Sequence, residues 1–184
     1  MRRPVRPLTA KSLENAATFY LERYASTAEG LRRVLNRRVR KAESAETPIV
    51  ANVQRVIDAI VAKFVHAGVL DDKAFAQTKA RALHRRGTST RLTRQKLKLA
   101  GVDGETLDQA MAGLDQELDT DPRQREWRAA VALARRRRLG PFRQKDRKEH
   151  RTRDLAAMAR NGFDYETARK VIDAVDADAL DEVS

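Results

Sequence analysis

Arginines and lysines that share one helix face are the side chains of this sequence best suited to chemistry. Arg81 and Arg85 lie four residues apart, and Arg91, Arg94 and Lys98 follow at intervals of three and four, so each group shares a face. Such a face can neutralise phosphates, which gives binding that weakens steeply with salt and reads little sequence. It can equally bind an acidic protein groove, and a solvated face without a ligand is the third interpretation.

Two further basic groups widen the candidate surface. One lies on a helix opposite the apolar residues Leu31, Val34 and Leu35, and the other is the arginine run that ends the segment "ALARRRR". Four successive arginines point all round a helix, and bases also suit the negative end of the helix dipole. Taken together the clusters favour a binding role. The candidate partner-binding or DNA-binding residues are Arg33, Arg37, Arg40, Lys41, Arg81, Arg85, Arg86, Arg91, Arg94, Lys98, Arg135, Arg136, Arg137 and Arg138.

The adjacent carboxylates Asp71 and Asp72 raise the alternative of an acid–base site. A catalytic pair normally sits in a cleft with other titratable groups. Here the pair precedes a helix whose apolar stripe includes Phe75, Ala80 and Leu83. Acids at a helix start accept bonds from free amides and suit the positive end of the dipole. We therefore interpret both as capping residues.

Signatures of enzymes and of bound cofactors are missing from the sequence. There is no P-loop, no nucleophile elbow, no cysteine and no pair of histidines at the spacing of a metal site. The single tryptophan, Trp127, has the helical spacing of a core residue rather than of a stacking platform. The sequence predicts no enzyme, no cofactor and no metal, and it leaves a helix-turn-helix reader of DNA open.

Composition defines the class of partner. The 184 residues hold 38 Lys and Arg against 26 Asp and Glu, a formal charge of +12, which attracts nucleic acid before any other polyanion. Aromatic residues make up only 5%, so the core must be aliphatic. The absence of cysteine fits a reducing cytoplasm, and no secretory signal or membrane-spanning run is present.

Helical periodicity and an internal repeat predict an all-α fold. Within residues 53–64 the larger apolar side chains all fall on one stripe, namely Val53, Val56, Ile57, Ile60, Val61 and Phe64. Segments 97–114 and 158–175 resemble each other, since in both a helix ends at glycine, an apolar residue follows and an aspartate caps the next helix. We read three helical units in tandem, each too small to bury much alone.

The predicted organisation follows from these units. The predicted segments are a flexible basic arm at 1–11, helical repeats at 12–70, 71–115 and 121–178, and an acidic tail at 179–184. Residues 42–50 form a predicted loop within the first repeat.

The chain resembles the RecX family of recombination regulators over nearly all of its length. "YLERYASTAEGLRRVLNRRV" (20–39) resembles the opening segment of the family. "GVLDDKAFAQTKARALHRRG" (68–87) resembles its most recognisable stretch, and "RRRRLGPFR" with "MARNGFDYETARKVIDA" resembles the third unit. The ordered set of motifs is highly specific, whereas the second stretch alone is moderately so.

The resemblance implies an elongated, curved, all-α molecule of tandem three-helix repeats. It implies binding to the RecA filament on single-stranded DNA, with inhibition of filament growth, ATP hydrolysis, strand exchange and co-protease activity. We expect a monomer that contacts single-stranded DNA, and duplex DNA as well, without sequence preference and without a membrane. A basic helical protein that binds DNA alone, architectural or transcriptional, is the alternative.

The third unit departs from the second in its charge. Thr152, Leu155 and Ala159 stand where the second unit has Arg91, Arg94 and Lys98. If this basic face matters, the second unit carries it, together with the first.

Overall fold

Helices form nearly all regular structure in the computed structural model, which describes residues 7–181. The prediction of an all-α chain with three-helix repeats is confirmed. Within 7–181 the sole β-type contact is one parallel bridge between Leu8 and Ile49. The α-helices are α1 (Ala10–Leu21), α2 (Ala28–Ser44), α3 (Val53–His66), α4 (Asp72–Arg85), α5 (Thr90–Ala100), α6 (Gly104–Glu117), α7 (Pro122–Arg137), α8 (Arg147–Arg160), α9 (Tyr165–Asp173) and α10 (Asp178–Asp181).

In chain order the helices fall into three triplets, α1–α3, α4–α6 and α7–α9, with α10 after the third. Contacts divide the described residues into two compact units. The first unit holds residues 7–75 with 100–102, and the second holds 76–99 with 103–181. None of the helices in the described range has the length and apolar character that crossing a lipid bilayer requires.

Each unit has an aliphatic core of its own. In the first unit α2 buries Leu31, Leu35 and Val39 at intervals of four, and they pack against α1 and α3. The stripe predicted for 53–64 is confirmed at Ile57 and Val61, which are 1% exposed. The core of the second unit is built largely from alanine and branched side chains, and its fully buried members include Leu133, Met158, Val171, Ile172 and Leu180.

The repeated glycine–apolar–aspartate pattern has the structure that the sequence predicts. Gly101 ends α5 at φ +98° and Gly162 follows α8 at φ +92°, the left-handed conformation that glycine adopts without strain. Asp103 accepts the Thr106 amide at 2.9 Å and Asp164 accepts the Thr167 amide at 2.7 Å. Each aspartate therefore caps the last helix of its triplet.

These glycines also permit a close approach that the repeat pattern alone did not reveal. A β-carbon on Gly101 would lie 2.6 Å from Cβ of Glu29 in α2. A β-carbon on Gly162 would lie 2.2 Å from Oγ of Ser89, the residue before α5. In both units the turn before the last helix of a triplet packs against the start of a second helix.

Hydrogen bonds hold the start of α2 in this position, and one of them involves an aspartate that we predicted to cap its own helix. Asp71 does cap its own helix, since it accepts the Ala74 amide at 2.9 Å. Asp72 lies in the first turn of α4 as predicted, but its carboxylate accepts the Ala28 amide of α2 at 2.8 Å instead of an amide of its own helix. The hydroxyl of Thr27, which caps α2, donates to the Ala100 carbonyl at 2.5 Å.

The second unit repeats this arrangement at α5. Glu126 of α7 accepts the Thr90 amide at 2.7 Å, as Asp72 accepts that of Ala28. The Ser89 amide donates to the Asn161 carbonyl at 3.2 Å, in the place of the Thr27 bond. The first amide of each of these second helices is thus satisfied by a carboxylate from the next triplet along the chain.

Parts of both predicted terminal segments lie within the described range and make contacts there. Leu8 donates its amide to the Pro48 carbonyl at 2.8 Å, and α1 begins at Ala10, so residues 8–11 are not a flexible arm. Leu180 is 1% exposed, and its carbonyl accepts the Trp127 indole N–H at 3.2 Å. Residues 1–6 and 182–184 lie outside the described residues. The predicted loop at 42–50 begins later than expected, because α2 continues to Ser44.

Alanine at Gly101 should destabilise the protein by more than about 2 kcal/mol, because it adds left-handed strain to a clash with α2. Alanine at Gly113, inside α6, should instead stabilise by about 0.5–1 kcal/mol, because an added β-carbon there would meet no atom within 4 Å. Urea unfolding of the two variants measures both changes. Equal effects of the two substitutions would contradict the close approach.

Candidate functional site

A cleft in the second unit collects basic side chains from three helices. Arg91 and Arg94 come from α5, Arg123 from α7 and Lys170 from α9, and they line a space of about 1100 Å³. Arg91 and Arg94 are sequence candidates, whereas Arg123 and Lys170 were missed because neither has another base three or four residues away on its helix face. The cleft joins helix faces that are far apart in sequence into one surface.

The bases meet because three helices begin at this cleft. Thr90, Pro122 and Thr167 lie in the first turns of α5, α7 and α9 and all line it. Asp121 already accepts two first-turn amides of α7 at 2.7 and 2.9 Å, and Asp164 caps α9. These amide bonds lower the pKa of both carboxyl groups below the ordinary value. An anion in the cleft would therefore bind to side chains rather than to free amides.

Ion pairs within the cleft are weak enough to be exchanged. Arg94 pairs with Asp108, and Lys170 pairs with Glu166 at 2.8 Å, with all four side chains more than a third exposed. Exposed pairs contribute about 0–1 kcal/mol, so a polyanion can replace the carboxylates at little cost. Among the lining residues bases exceed acids by five to three. Within 7–181 no group of three or more His, Asp or Glu could hold a metal ion.

The buried Arg125 links the helices that form the cleft. It is 5% exposed, bonds to Asp115 and reaches the Met111 carbonyl at 3.5 Å and the Thr90 hydroxyl at 3.5 Å. This guanidinium joins the ends of α5, α6 and α7, and α5 and α7 carry the exposed bases. A signal was present in the sequence, because Arg125 occupies the apolar stripe of α7 four residues before Ala129.

His84 anchors α4 to the same support. Its Nε2 lies 3.2 Å from the Arg125 carbonyl. Burial lowers the pKa of His84 below 6.5, and the nearby positive charges of Arg125 and Arg128 act in the same direction. The neutral imidazole is the form that suits this site.

The other sequence candidates in the second unit lie away from the cleft lining. Arg81 pairs with Glu117 beside a smaller cleft of about 490 Å³. Arg85, Arg86 and Lys98 are exposed near the ends of α4 and α5. The arginine run at 135–138 is exposed at the end of α7, where the guanidinium of its first member lies 5.4 Å from the Phe142 ring centroid.

The candidates in the first unit all lie on α2. Arg33 lies 3.5 Å from Glu29, one turn before it. Arg37, Arg40 and Lys41 are exposed toward the end of the helix, opposite its buried stripe. Each unit therefore presents basic side chains to solvent.

Comparison with known proteins gives consistent matches. A family model described as RecX, second three-helix domain, matches residues 71–111. The Regulatory protein RecX of Myxococcus xanthus (strain DK1622) is 43% identical over 177 residues, which cover 94% of this chain and 91% of that protein. The Regulatory protein RecX of Agrobacterium fabrum (strain C58 / ATCC 33970) is 33% identical over 171 residues, 92% of this chain and 86% of that protein.

Solved structures share the fold at low sequence identity. The crystal structure of RecX from Lactobacillus salivarius aligns with a TM-score of 0.57 at 18% identity and covers 94% of this chain and 97% of that chain. A second structure, described as a crystal structure of regulatory protein RecX, aligns with a TM-score of 0.58 at 18% identity and covers 89% and 73% of the two chains.

Replacement of Arg125 by methionine should destabilise the protein by about 1–3 kcal/mol, because the Asp115 carboxylate, which is 19% exposed, loses its partner. The matched variant Arg123→Met, at an exposed position two residues earlier, should change stability by less than about 0.5 kcal/mol. Adding Asp115→Leu to Arg125→Met should recover much of the loss. Thermal or urea unfolding measures these changes. Equal losses of unfolding free energy in Arg125→Met and Arg123→Met would contradict the role given to the Arg125–Asp115 pair.

The pH dependence of stability should carry the signature of His84. Because the native state holds the His84 pKa below that of the unfolded chain, its contribution is complete above pH 6.5 and is lost as pH falls through the native pKa. Between about pH 7.5 and 5 the wild type should therefore lose more unfolding free energy than His84→Gln. His66→Gln, at an exposed position, is the control and should follow the wild type. Identical pH profiles for all three proteins would exclude this coupling.

Proposed function

Because the chain belongs to the RecX family of regulatory proteins, we propose that it binds the RecA filament on single-stranded DNA and inhibits it. The inhibited activities are filament growth, ATP hydrolysis, strand exchange and co-protease activity. The observation that carries the proposal is the identity to a RecX regulatory protein along nearly the whole chain. We propose that the protein acts in the cytoplasm as a monomer, without enzymatic activity and without a cofactor.

The cleft of the second unit supports this function by its chemistry. Arg91, Arg94 and Arg123 carry planar guanidinium groups, which match phosphate and carboxylate oxygens with two parallel hydrogen bonds. Lys170 adds a point charge on the α9 side. This set can bind the phosphates of the strand or the acidic side chains of the recombinase.

The basic residues outside the cleft extend the contact in our proposal. Arg37, Arg40 and Lys41 of α2 add charge in the first unit, and Arg85, Arg86 and Lys98 add it in the second. The run Arg135–Arg138 lies at the end of α7. Bases in both units allow one molecule to engage neighbouring protomers of a filament.

The direct test is the single-stranded-DNA-dependent ATPase of RecA, titrated with this protein beside a binding assay on DNA alone. Inhibition far below the concentration that saturates the DNA would assign the function to the filament. Inhibition only at saturation would mean competition for the strand and would favour a protein that binds DNA alone.

Charge reversal in the cleft and on the exposed face of α5 should weaken inhibition without unfolding the helices. The variant Arg91→Glu/Lys98→Glu/Arg123→Glu changes exposed side chains and avoids Arg81 and Arg94, whose reversal would place like charges beside Glu117 and Asp108. We expect at least about tenfold more protein for half-inhibition, and a salt slope for single-stranded DNA smaller by about 0.7 for each lost phosphate contact.

A variant of equal charge change is the control. Lys145→Glu/Lys148→Glu/Arg153→Glu alters three exposed bases of the second unit that do not line the cleft. It should retain most of the inhibition, and circular dichroism should show unchanged helix content in both variants. Equal loss in the two variants would remove the cleft from the proposal and leave only net charge.

A further inference from the structure

A group of aromatic rings at the end of α1 has no role in the function proposed so far. Phe19, Tyr20 and Tyr24 lie within six residues, in a chain with only five Phe, three Tyr and one Trp. Phe19 is 56% exposed and Tyr24 is 57% exposed, although burial of such rings is among the strongest gains in folding. Exposed large rings that cluster in this way make the end of α1 a candidate interaction surface.

The rings are held in place by local contacts. The guanidinium carbon of Arg23 lies 3.6 Å from the Phe19 ring centroid, and Nη1 of Arg23 donates to the Phe19 carbonyl at 3.2 Å. Tyr24 donates its amide to the Tyr20 carbonyl at 3.0 Å, and the two rings lie 5.2 Å apart with a tilt of 35°. Tyr20 packs against the core of the first unit and so fixes the aromatic group to the folded chain.

The shape of this group suits a flat, uncharged ligand surface. A guanidinium lying on a phenyl ring presents its second planar face outward, and Tyr24 presents a further ring. Between residues 18 and 28 the only charged side chains are Glu22 and Arg23, which balance. The segment therefore has no net charge of its own, and the contribution to binding that its rings suit is stacking.

We propose that Phe19, Arg23 and Tyr24 form a platform on which unpaired bases of a single nucleic-acid strand stack. Every base has a π-face, so aromatic and arginine planes bind bases without sequence preference. The basic faces described above supply the attraction for phosphate that this neutral segment lacks. The inference rests on the proposed function in one respect, namely that a single strand is the polyanion this protein meets.

The proposal predicts which nucleic acids use the platform. Bases in a duplex are already stacked and paired, so the platform adds nothing to duplex binding. It adds affinity for a single strand with bases and none for a strand of the same phosphates without bases. An abasic oligonucleotide therefore separates stacking from charge.

The experiment compares full-length wild type with Phe19→Ala/Tyr24→Ala on labelled oligo-dT and on an abasic oligonucleotide, each about 20 nucleotides long, by fluorescence anisotropy across a salt series. For oligo-dT we expect the variant to lose about tenfold or more in affinity with an unchanged salt slope. For the abasic strand the variant and the wild type should bind alike.

Two further variants control for folding and for loss of apolar surface. Val65→Ala/Val69→Ala removes exposed apolar side chains of the same unit that have no π-face, and it should bind oligo-dT as the wild type does. Phe19→Trp/Tyr24→Trp keeps the stacking planes and should keep the affinity. Matching circular dichroism spectra establish that the variants are folded.

Two results would overturn the platform. One is wild-type protein that binds oligo-dT and the abasic strand equally. The other is an alanine variant that keeps full affinity for oligo-dT but loses inhibition of the RecA ATPase, which would mean that the rings face a protein. Failure of the wild type to inhibit RecA would instead refute the proposed function. The oligonucleotide assay contains no RecA, so it tests the platform whatever the outcome of the ATPase assay.

Discussion

The repeat architecture depends on one interaction, the capping of a helix by a carboxylate from the following triplet. Asp72 satisfies the first amide of α2 in the first unit, and Glu126 satisfies that of α5 in the second. An unpaired amide in such a partly buried place costs about 1–3 kcal/mol. The first amides of α2 and α5 are therefore satisfied from outside their own triplets, by the first residue of α4 and by a residue of α7.

Small residues make up much of the core shared by α7, α8 and α9, and polar contacts join helix ends in the same unit. A core rich in alanine brings backbones near one another but buries little apolar area per residue. Ion pairs that each have one buried member join helix ends in this unit. Arg125 bonds to Asp115, and Asp154, which is 1% exposed, accepts from Arg143 at 2.6 Å and from the Gly140 amide at 3.0 Å. Such pairs specify one arrangement of helix ends, because breaking either would leave a buried charge uncompensated.

The use of carboxylates as helix caps also affects which charges the surface presents. The acids that cap helices, Asp71, Asp103, Asp121 and Asp164 among them, hold their negative charge against backbone amides. The arginines and lysines have no such structural use in most positions and extend into solvent. A net charge of +12 is therefore expressed mainly as exposed basic side chains, which suits the contact with a polyanion that we propose.

The helices, the aliphatic stripes and the glycine–aspartate turns could be predicted from the sequence, because each depends on residues within a few positions of one another. The basic helix faces and the family resemblance could also be recognised from the sequence. Folding was needed to show that Asp72 bonds to α2 rather than to its own helix, and that Arg123 and Lys170 join Arg91 in a cleft. These partners lie far apart in the chain, and local spacing cannot specify which helix ends meet, since that is set by how the cores pack.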